Sequence, residues 1–298
     1  MKKLLKLFML INVVVAISTA CNDEQEVSKS ESIIEEGAIK KSFSISETDK
    51  VYFSQGNLQF QASTGLWRFA ENQYDIIGFE NENISSTNNG WIDLFGWGTS
   101  GWDSGCEAFQ PYSINTIISD YCPGNDPDNN LTGNYANADW GVYNKISNGG
   151  NKVELWRTLT ADEWSYLFKE RQNSKILYSR GSIDGINGLI LLPDDWEQPK
   201  SVDFSPQGDD WRTNEYTVKE WSKMEANGAV FLPAAGNRLD AEVSDIVNSD
   251  GYYWSTTTEG NEALYSVRCI GFNKNGVMTD IVFDRQWGLS VRLVKNVK

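Results

Sequence analysis

Residues 251–294 constrain the fold most, because they read as a series of short, closely spaced strands. Val267 and Cys269 alternate with polar neighbours, which is the period of two expected of a strand with one buried face. Turns rich in Gly and Asn separate the strands and supply residues that tolerate a positive φ. The pattern predicts an antiparallel C-terminal sheet in which Cys269 is buried and Arg268 faces outward.

Two short helices are predicted before this sheet, and both begin with a capping box. Glu163 stands three positions after Thr160. Glu220 stands three positions after Thr217. In such a box the Thr hydroxyl and the Glu carboxylate satisfy the first free backbone amides of the helix. Gly228 follows the second helix and is expected to end it.

The N-terminal half contains short strands and then a long loop region. Apolar runs within residues 51–69 predict a strand meander at the start of the folded part. Residues 81–151 are rich in Gly, Asn and Trp, which is typical of long loops that are functional or held by their own aromatic side chains. We expect Trp91 and Phe95 to plug the core, and Trp102 to be a candidate platform for sugar stacking.

Three segments of the chain resemble one family of surface proteins. They read Trp-Arg-Thr-Leu-Thr-Ala-Asp-Glu-Trp at 156–164, Gly-Ala-Val-Phe-Leu-Pro-Ala-Ala-Gly-Asn-Arg at 228–238, and Tyr-Trp-Ser-Thr at 253–256 with a closing Gly-Leu-Ser-Val-Arg-Leu-Val at 288–294. They are similar to the Fibrobacter succinogenes major paralogous domain of Bacteroidetes surface lipoproteins. That family resembles the formylglycine-generating-enzyme branch of the C-type lectin-like fold.

The resemblance covers about residues 51–294 and implies an α+β class. The expected architecture is a C-type lectin-like fold with short antiparallel strands, two helices and long Gly/Asn/Trp-rich loops. It forms a single domain over residues 43–298, beginning with the strand meander. Four arginines in or beside the family-like motifs are expected to tie strand ends to carboxylates or carbonyls, namely Arg157, Arg238, Arg285 and Arg292.

The N-terminus reads as a targeting segment. Lysines precede an apolar run over residues 4–17, and a small-residue end leads to Cys21. This pattern predicts a lipoprotein signal peptide over residues 1–20 with lipidation of Cys21, the alternative being an ordinary secretory signal. Residues 21–42 are polar and predict a flexible acidic tether. Their acidic start resembles the tag of outer-surface Bacteroidetes lipoproteins, so the expected location is the outer membrane, exposed at the cell surface.

The charge and the absence of His exclude several functions. A formal net charge of −15 repels nucleic acid, so a nucleic-acid partner is not expected. The chain has no His, which excludes Ser–His and Cys–His nucleophile pairs and His-ligated metals. The enzymes of the resembled branch use a reactive Cys pair or His ligands, and this chain has neither set. The resemblance therefore implies the fold without the enzyme activity.

Carboxylates leave one catalytic alternative open, a two-carboxylate glycosidase. The adjacent pairs are Asp194 with Asp195 and Asp209 with Asp210. Adjacent side chains diverge on a strand, so these pairs are more typical of solvated loop charges.

Two cysteines in the loop region could form a disulfide. In an exported protein, a disulfide between Cys106 and Cys122 would restrict the unfolded chain. The sequence by itself does not decide the connectivity, so free thiols stay the alternative.

Calcium is the one candidate cofactor. Asp126, Asp128 and Asn130 fall at alternate positions, which can turn oxygen ligands toward one hard cation. Leu131 stands where a calcium-binding EF-hand loop needs Gly, and Asp and Asn also form plain turns. The two interpretations are a calcium loop and an ordinary turn.

We expect a non-catalytic cell-surface binding or adhesion module that recognises an extracellular glycan or protein and is a monomer. In the C-type lectin-like fold the C-terminal sheet and its loops form the ligand face. The candidate ligand-binding residues are Tyr252, Glu259, Asn261, Arg268, Asn273, Asn275 and Trp287, with Trp102 as a neighbour. The alternatives are a structural fimbrial or envelope-assembly subunit and, third, a carboxylate-based hydrolase.

Overall fold

Short strands and three α-helices make up the part of the chain that the computed structural model describes, residues 34–260 and 265–297. The strands are β1 Ile34–Glu35, β2 Ala38–Ile39, β3 Phe43–Ser44, β4 Lys50–Phe53, β5 Leu58–Gln61, β6 Leu66–Phe69, β7 Tyr178–Ile183, β8 Ile186–Leu191, β9 Glu215–Tyr216, β10 Val230–Pro233, β11 Arg238–Leu239, β12 Glu242–Val243, β13 Gly251–Thr258, β14 Ser266–Asn273, β15 Gly276–Asp284 and β16 Val294–Asn296. The α-helices are α1 Trp140–Tyr143, α2 Ala161–Lys169 and α3 Val218–Ala226. Short 3-10 helices span Gly78–Asn83, Glu107–Phe109, Ile118–Tyr121, Pro123–Asn125, Gly133–Ala138, Ser174–Ile176 and Trp211–Asn214. The mixed α+β class is confirmed.

The C-terminal sheet has the antiparallel order β13-β14-β15, as the strand pattern predicts. Val267 and Cys269 are buried on one of its faces, in a core that also contains Trp254. Ile270 and Phe272 are buried in a second core. Since neighbouring residues of a strand point to opposite faces, the central strand β14 is covered on both sides rather than on one.

Both helix caps are confirmed. Thr160 Oγ1 accepts from the Glu163 amide at 3.1 Å, and the Glu163 carboxylate accepts from the Thr160 amide at 2.8 Å. Thr217 and Glu220 make the same reciprocal pair. Gly228 ends α3 with a φ of 93°. The buried faces of the two helices are formed by Trp164, Leu167 and Phe168 in α2 and by Trp221 and Met224 in α3.

The predicted N-terminal meander is wrong. Strands β5 and β6 form a hairpin, but β4 lies between β3 and the C-terminal strand β16. The Leu58 amide donates to the Val291 carbonyl at 2.9 Å, so the start of β5 is also joined to the end of the chain. Hydrogen bonds to the distant C-terminal segment replace the local pairing between β4 and β5.

The packed part of the chain begins before the expected boundary at residue 43. Ala38 and Ile39 are buried, so the chain packs onto the domain from about residue 37, within the segment predicted to be the tether. The predicted signal peptide and Cys21 lie outside the described residues. Within the described part, no helix is long and apolar enough to cross a membrane.

Three of the four motif arginines are buried, as the predicted structural role requires. Arg238 donates to the Leu94 carbonyl at 2.9 Å, and Arg292 to Gln73 Oε1 at 2.7 Å. Arg285 donates to the Tyr265 carbonyl at 3.0 Å. Burial lowers the pKa of Arg238 and of Arg292 to about 10. The fourth arginine, Arg157, forms a two-pronged ion pair with Glu163 in α2, with both N–O distances 2.7 Å.

Candidate functional site

The structure separates the residues predicted to form a ligand site on the C-terminal sheet. Tyr252 and Trp287 lie on one face, where Phe283 stands between them with ring centroids 4.8 Å and 5.6 Å away. Arg268 lies on the opposite face, because it alternates with the buried Val267 and Cys269 of β14. It pairs with Asp162 of helix α2 at 3.2 Å. Arg268 therefore joins helix to sheet.

The predicted turn residues lie at opposite ends of the same sheet. Glu259 is exposed at the end of β13, and its amide donates to the Ser266 carbonyl. Asn273 ends β14 and Asn275 lies in the turn that follows, where Asn273 Oδ1 accepts from the Asn275 amide at 2.9 Å. The eight residues of β14 separate the two turns by roughly 24 Å. Asn261 lies outside the described residues, so the remaining predicted residues do not meet at one place.

Trp102 packs into its own loop region. Its ring is 5.2 Å from that of Phe109 and 6.4 Å from that of Tyr135, and the side chain is half-buried. Its indole nitrogen is shielded from solvent and has no hydrogen-bond partner within residues 34–260 and 265–297. These contacts favour a role in holding the loop.

The predicted calcium loop wraps around a buried guanidinium group. The Pro127 carbonyl accepts from Arg285, and the carboxylates of Asp126 and Asp128 lie near that cation. Asn130 Oδ1 accepts from the Thr258 amide at 2.8 Å, and Asp126 Oδ1 accepts from the Asp128 amide at 2.9 Å. The described residues bring no three His, Cys, Asp or Glu side chains together as metal ligands. Calcium binding here stays a prediction.

The predicted disulfide is absent from the structure. Cys106, Cys122 and Cys269 are free thiols, and they are all the cysteines in the described ranges. Cys106 Sγ is directed at the Asp120 carbonyl oxygen, 3.9 Å away, while Cys122 is buried. Burial raises the pKa of the Cys122 thiol. Cys269 is buried as predicted.

The two carboxylates of the first adjacent aspartate pair are held by different partners. Asp194 accepts from the Ser44 hydroxyl at 2.7 Å and from Lys50 at 2.9 Å. Asp195 pairs separately with Lys41 at 2.7 Å. Both carboxylates of the pair thus tie loops together, and Asp209 and Asp210 are exposed on a loop.

A polar groove with an aromatic wall lies away from the C-terminal sheet. It consists of two adjoining cavities of about 480 Å³ and 450 Å³, which share Ile76 and Ile77. The first is lined by Gln59, Arg68, Tyr74, Asp75 and Asp184. The second is lined by Glu80, Asn83, Asn88, Gly90 and Trp91. We call these two cavities together the Trp91 groove.

Trp91 is held in the wall of the groove by a cation–π contact. The guanidinium carbon of Arg68 lies 3.8 Å from the centre of the indole ring. Arg68 is itself held by Gln59, whose Oε1 accepts from Nε at 2.9 Å. Such a stack fixes the plane of the indole and occupies one of its two faces. Trp91 is therefore positioned in advance.

The prediction that Trp91 plugs the core is wrong, although Phe95 is fully buried as expected. Phe60 of β5 pairs with Ile92 in an antiparallel bridge, and Ile92 is the buried residue. Alternation along this extended segment turns Trp91 outward. The sequence signal that could have found the site is this Trp-Ile alternation next to Gly90.

A buried polar network supports the floor of the groove. The Asp93 carboxylate accepts from the Ile77 amide at 3.0 Å and from Asn81 Nδ2 at 2.8 Å. Asn81 Nδ2 also donates to the Gly78 carbonyl at 2.8 Å. Burial raises the pKa of Asp93 to about 6, and the hydrogen bonds from Asn81 and Ile77 partly oppose this. The network ties the loop that bears Ile77 to the strand-like segment that bears Trp91.

The groove is electrostatically acidic. Asp75, Asp184 and Glu80 line it, and Arg68 is the one cationic side chain among its lining residues. Desolvation raises the pKa of Tyr74, and the charges of Asp75 and Asp184 add to this effect. The groove combines an aromatic side chain, carboxylate acceptors and side-chain amides.

No protein-family model, no curated protein and no solved structure matches this chain. The class of protein is thus defined by the structure: a mixed α+β protein with a preformed groove that has an aromatic wall and a polar, acidic lining.

Proposed function

We propose that this chain is a non-catalytic binding module that takes a glycan into the Trp91 groove. The proposal includes display at the outer surface of a bacterial cell, with the chain held by a lipid on Cys21. The observation that carries it is the preset indole of Trp91 in the wall of a groove lined by carboxylate and amide side chains. An aromatic ring covers the apolar face of a sugar, while carboxylates and amides accept and donate to its hydroxyls.

A C-type lectin-like fold is part of the proposal. In its support, a strand near the start of the domain pairs with its last strand, since β4 lies beside β16. Helix α2 packs on the C-terminal sheet, and Trp164 of that helix donates to the Trp254 carbonyl at 3.2 Å. The groove lies outside that sheet, so this ligand site is distinct from the face that the resemblance implies.

The test is a glycan-binding screen with the purified protein, followed by titration of the best ligand. Trp91→Ala should weaken binding at least about fivefold, because stacking on an aromatic ring contributes on the order of 1 kcal/mol or more. Tyr143→Ala removes another exposed aromatic side chain and is the matched control, expected to leave the affinity unchanged.

A second pair of variants separates the two candidate faces. Trp287→Ala removes an aromatic ring from the C-terminal sheet. Loss of binding in Trp287→Ala with full binding in Trp91→Ala would move the site back to that sheet. A screen in which no glycan binds would set the proposed function aside.

A further inference from the structure

A small cavity lies where strand β7 meets the turn that joins β14 to β15. It has a volume of about 230 Å³ and is lined by Tyr178, Ser179, Arg180, Gln207, Gly208, Gly276 and Val277. We call it the Arg180 cavity. Arg180 is the one charged side chain among the described residues of this lining, although the chain has a formal net charge of −15. Asp209 and Asp210 follow in the same loop but do not line the cavity. A cationic cavity favours an anionic occupant.

Backbone carbonyls hold the Arg180 guanidinium and leave one of its nitrogens free. Nε donates to the Gly208 carbonyl at 2.9 Å, and Nη1 donates to the carbonyls of Asn273 and Lys274. Nη2 has no hydrogen-bond partner in residues 34–260 and 265–297, and it is not shielded from solvent. The cavity therefore has a fixed cation with an accessible, unused donor.

The backbone of β15 supplies a second donor. The turn before β15 contains two residues, so Asn273 and Gly276 form the hydrogen-bonded pair that closes the hairpin. Pairs in an antiparallel ladder alternate, so the next pair, Phe272 with Val277, is not hydrogen-bonded, and the Val277 N–H points away from β14. A Cβ on Gly276 would meet no atom within 4 Å, so the approach along the turn is open.

β15 is the outer strand of its sheet. Within the described part of the chain it pairs with β14 alone, and Asp280 and Val282 are exposed farther along it. The register shifts between Cys269 and Gly271 of β14, so the regular edge beside the cavity covers Gly276–Met278. Another chain can add its last few residues to such an edge.

The free edge and the two donors together favour the end of a peptide chain. A peptide antiparallel to β15 would reach the cavity with its C-terminus, because β15 begins there. One oxygen of the terminal carboxylate would accept from the Val277 N–H and the other from Arg180 Nη2. A side-chain carboxylate of an added strand would stand perpendicular to the sheet, whereas the Val277 N–H lies in its plane.

We propose that the Arg180 cavity binds the C-terminal carboxylate of a partner protein, whose last residues pair with the edge of β15. The cavity is separate from the Trp91 groove, so this inference does not depend on glycan binding.

The test begins with selection from a random peptide library displayed with free C-termini, with the full chain as bait. The best peptide is synthesised with a free C-terminal carboxylate and as its C-terminal amide, and both forms are titrated by fluorescence anisotropy. The free acid should bind at least about tenfold more tightly than the amide, because hydrogen bonds to a charged group are the stronger ones.

Arg180→Gln removes the cation and should lower the affinity for the free acid to that for the amide. Arg212→Gln removes the same charge from an exposed residue outside the cavity lining, and this matched control should leave both affinities unchanged. Val277→Pro removes the edge N–H and leaves Arg180 in place, so it should weaken binding of both forms. Urea unfolding of each variant shows whether it folds.

Selection of no peptide would overturn the inference, and so would equal affinity for the acid and the amide. Unchanged binding in Arg180→Gln, or in a folded Val277→Pro, would place the peptide elsewhere on the protein. A trimer of galacturonic acid that displaces the peptide and binds more tightly would assign the cavity to acidic sugars instead.

Discussion

Asp93→Asn tests the physical basis of the groove floor without any knowledge of the ligand. Asp93 is buried, and burial raises its pKa from 3.8 to about 6. A carboxyl group with a raised pKa in the folded state holds its proton more tightly there than in the unfolded chain. Asp93 therefore contributes a stability that is present at low pH and is lost as the pH rises from about 4 through about 6.

The size of this effect follows from the two pKa values. The difference between 3.8 and about 6 corresponds to about 3 kcal/mol of unfolding free energy. Asparagine is neutral at every pH, so the variant lacks this loss. The free-energy cost of any mismatch between the asparagine amide and the donors on Ile77 and Asn81 is the same at every pH. The stability of Asp93→Asn relative to the wild type should therefore rise by about 3 kcal/mol between about pH 3 and about pH 7.

The assay is urea unfolding followed by tryptophan fluorescence at a series of pH values. Asp139 is buried with its pKa also raised to about 6, and its contribution cancels in the difference between variant and wild type. Asp209→Asn, on an exposed loop, is the matched control and should follow the wild type at every pH. A flat difference for Asp93→Asn would refute the reasoning. A difference that falls with pH would show that the hydrogen bonds from Ile77 and Asn81 outweigh burial.

Two further predictions concern the scaffold. Gly141→Ala should lower the unfolding free energy by about 3 kcal/mol, measured by urea titration. A Cβ at this position would lie 2.7 Å from the Trp156 carbonyl carbon, and the backbone cannot move away from it at low energetic cost. A loss below about 0.5 kcal/mol would contradict the packing of α1. A double-mutant cycle with Arg157→Ala and Glu163→Ala should give a coupling of about 1 kcal/mol, since the pair is two-pronged and about three-quarters shielded. Zero coupling, or no decrease at high salt, would argue against the pair.

Local features of this fold were accessible from sequence because their partners lie a few residues away. Each capping box involves a Thr and a Glu three positions apart, and both boxes form as predicted. The alternation that buried Val267 and Cys269 is equally local. The α+β class was implied by the family resemblance, and these short-range patterns agree with it.

The candidate site was not accessible in the same way. Parity along β14 showed that Arg268 points away from Cys269, but helix α2 covers the outward face, and only packing reveals this. Trp91 looked like a core residue because a large aromatic among glycines in a loop favours burial. Ile92, which pairs with Phe60, is the buried residue instead.

The sequence by itself determined the helix caps, the strand periodicity and the structural use of the buried arginines, since these depend on neighbours in the chain or on the cost of burying a charge without partners. The tertiary structure alone decided that β4 pairs with β16 and that Arg68 from β6 stacks on Trp91. It also decided that Asp93 supports the groove floor through Ile77. These contacts join segments that are far apart along the chain, so no pattern in the local sequence predicts them. The burial and pairing that stabilise the contacts exist only once the whole domain has folded.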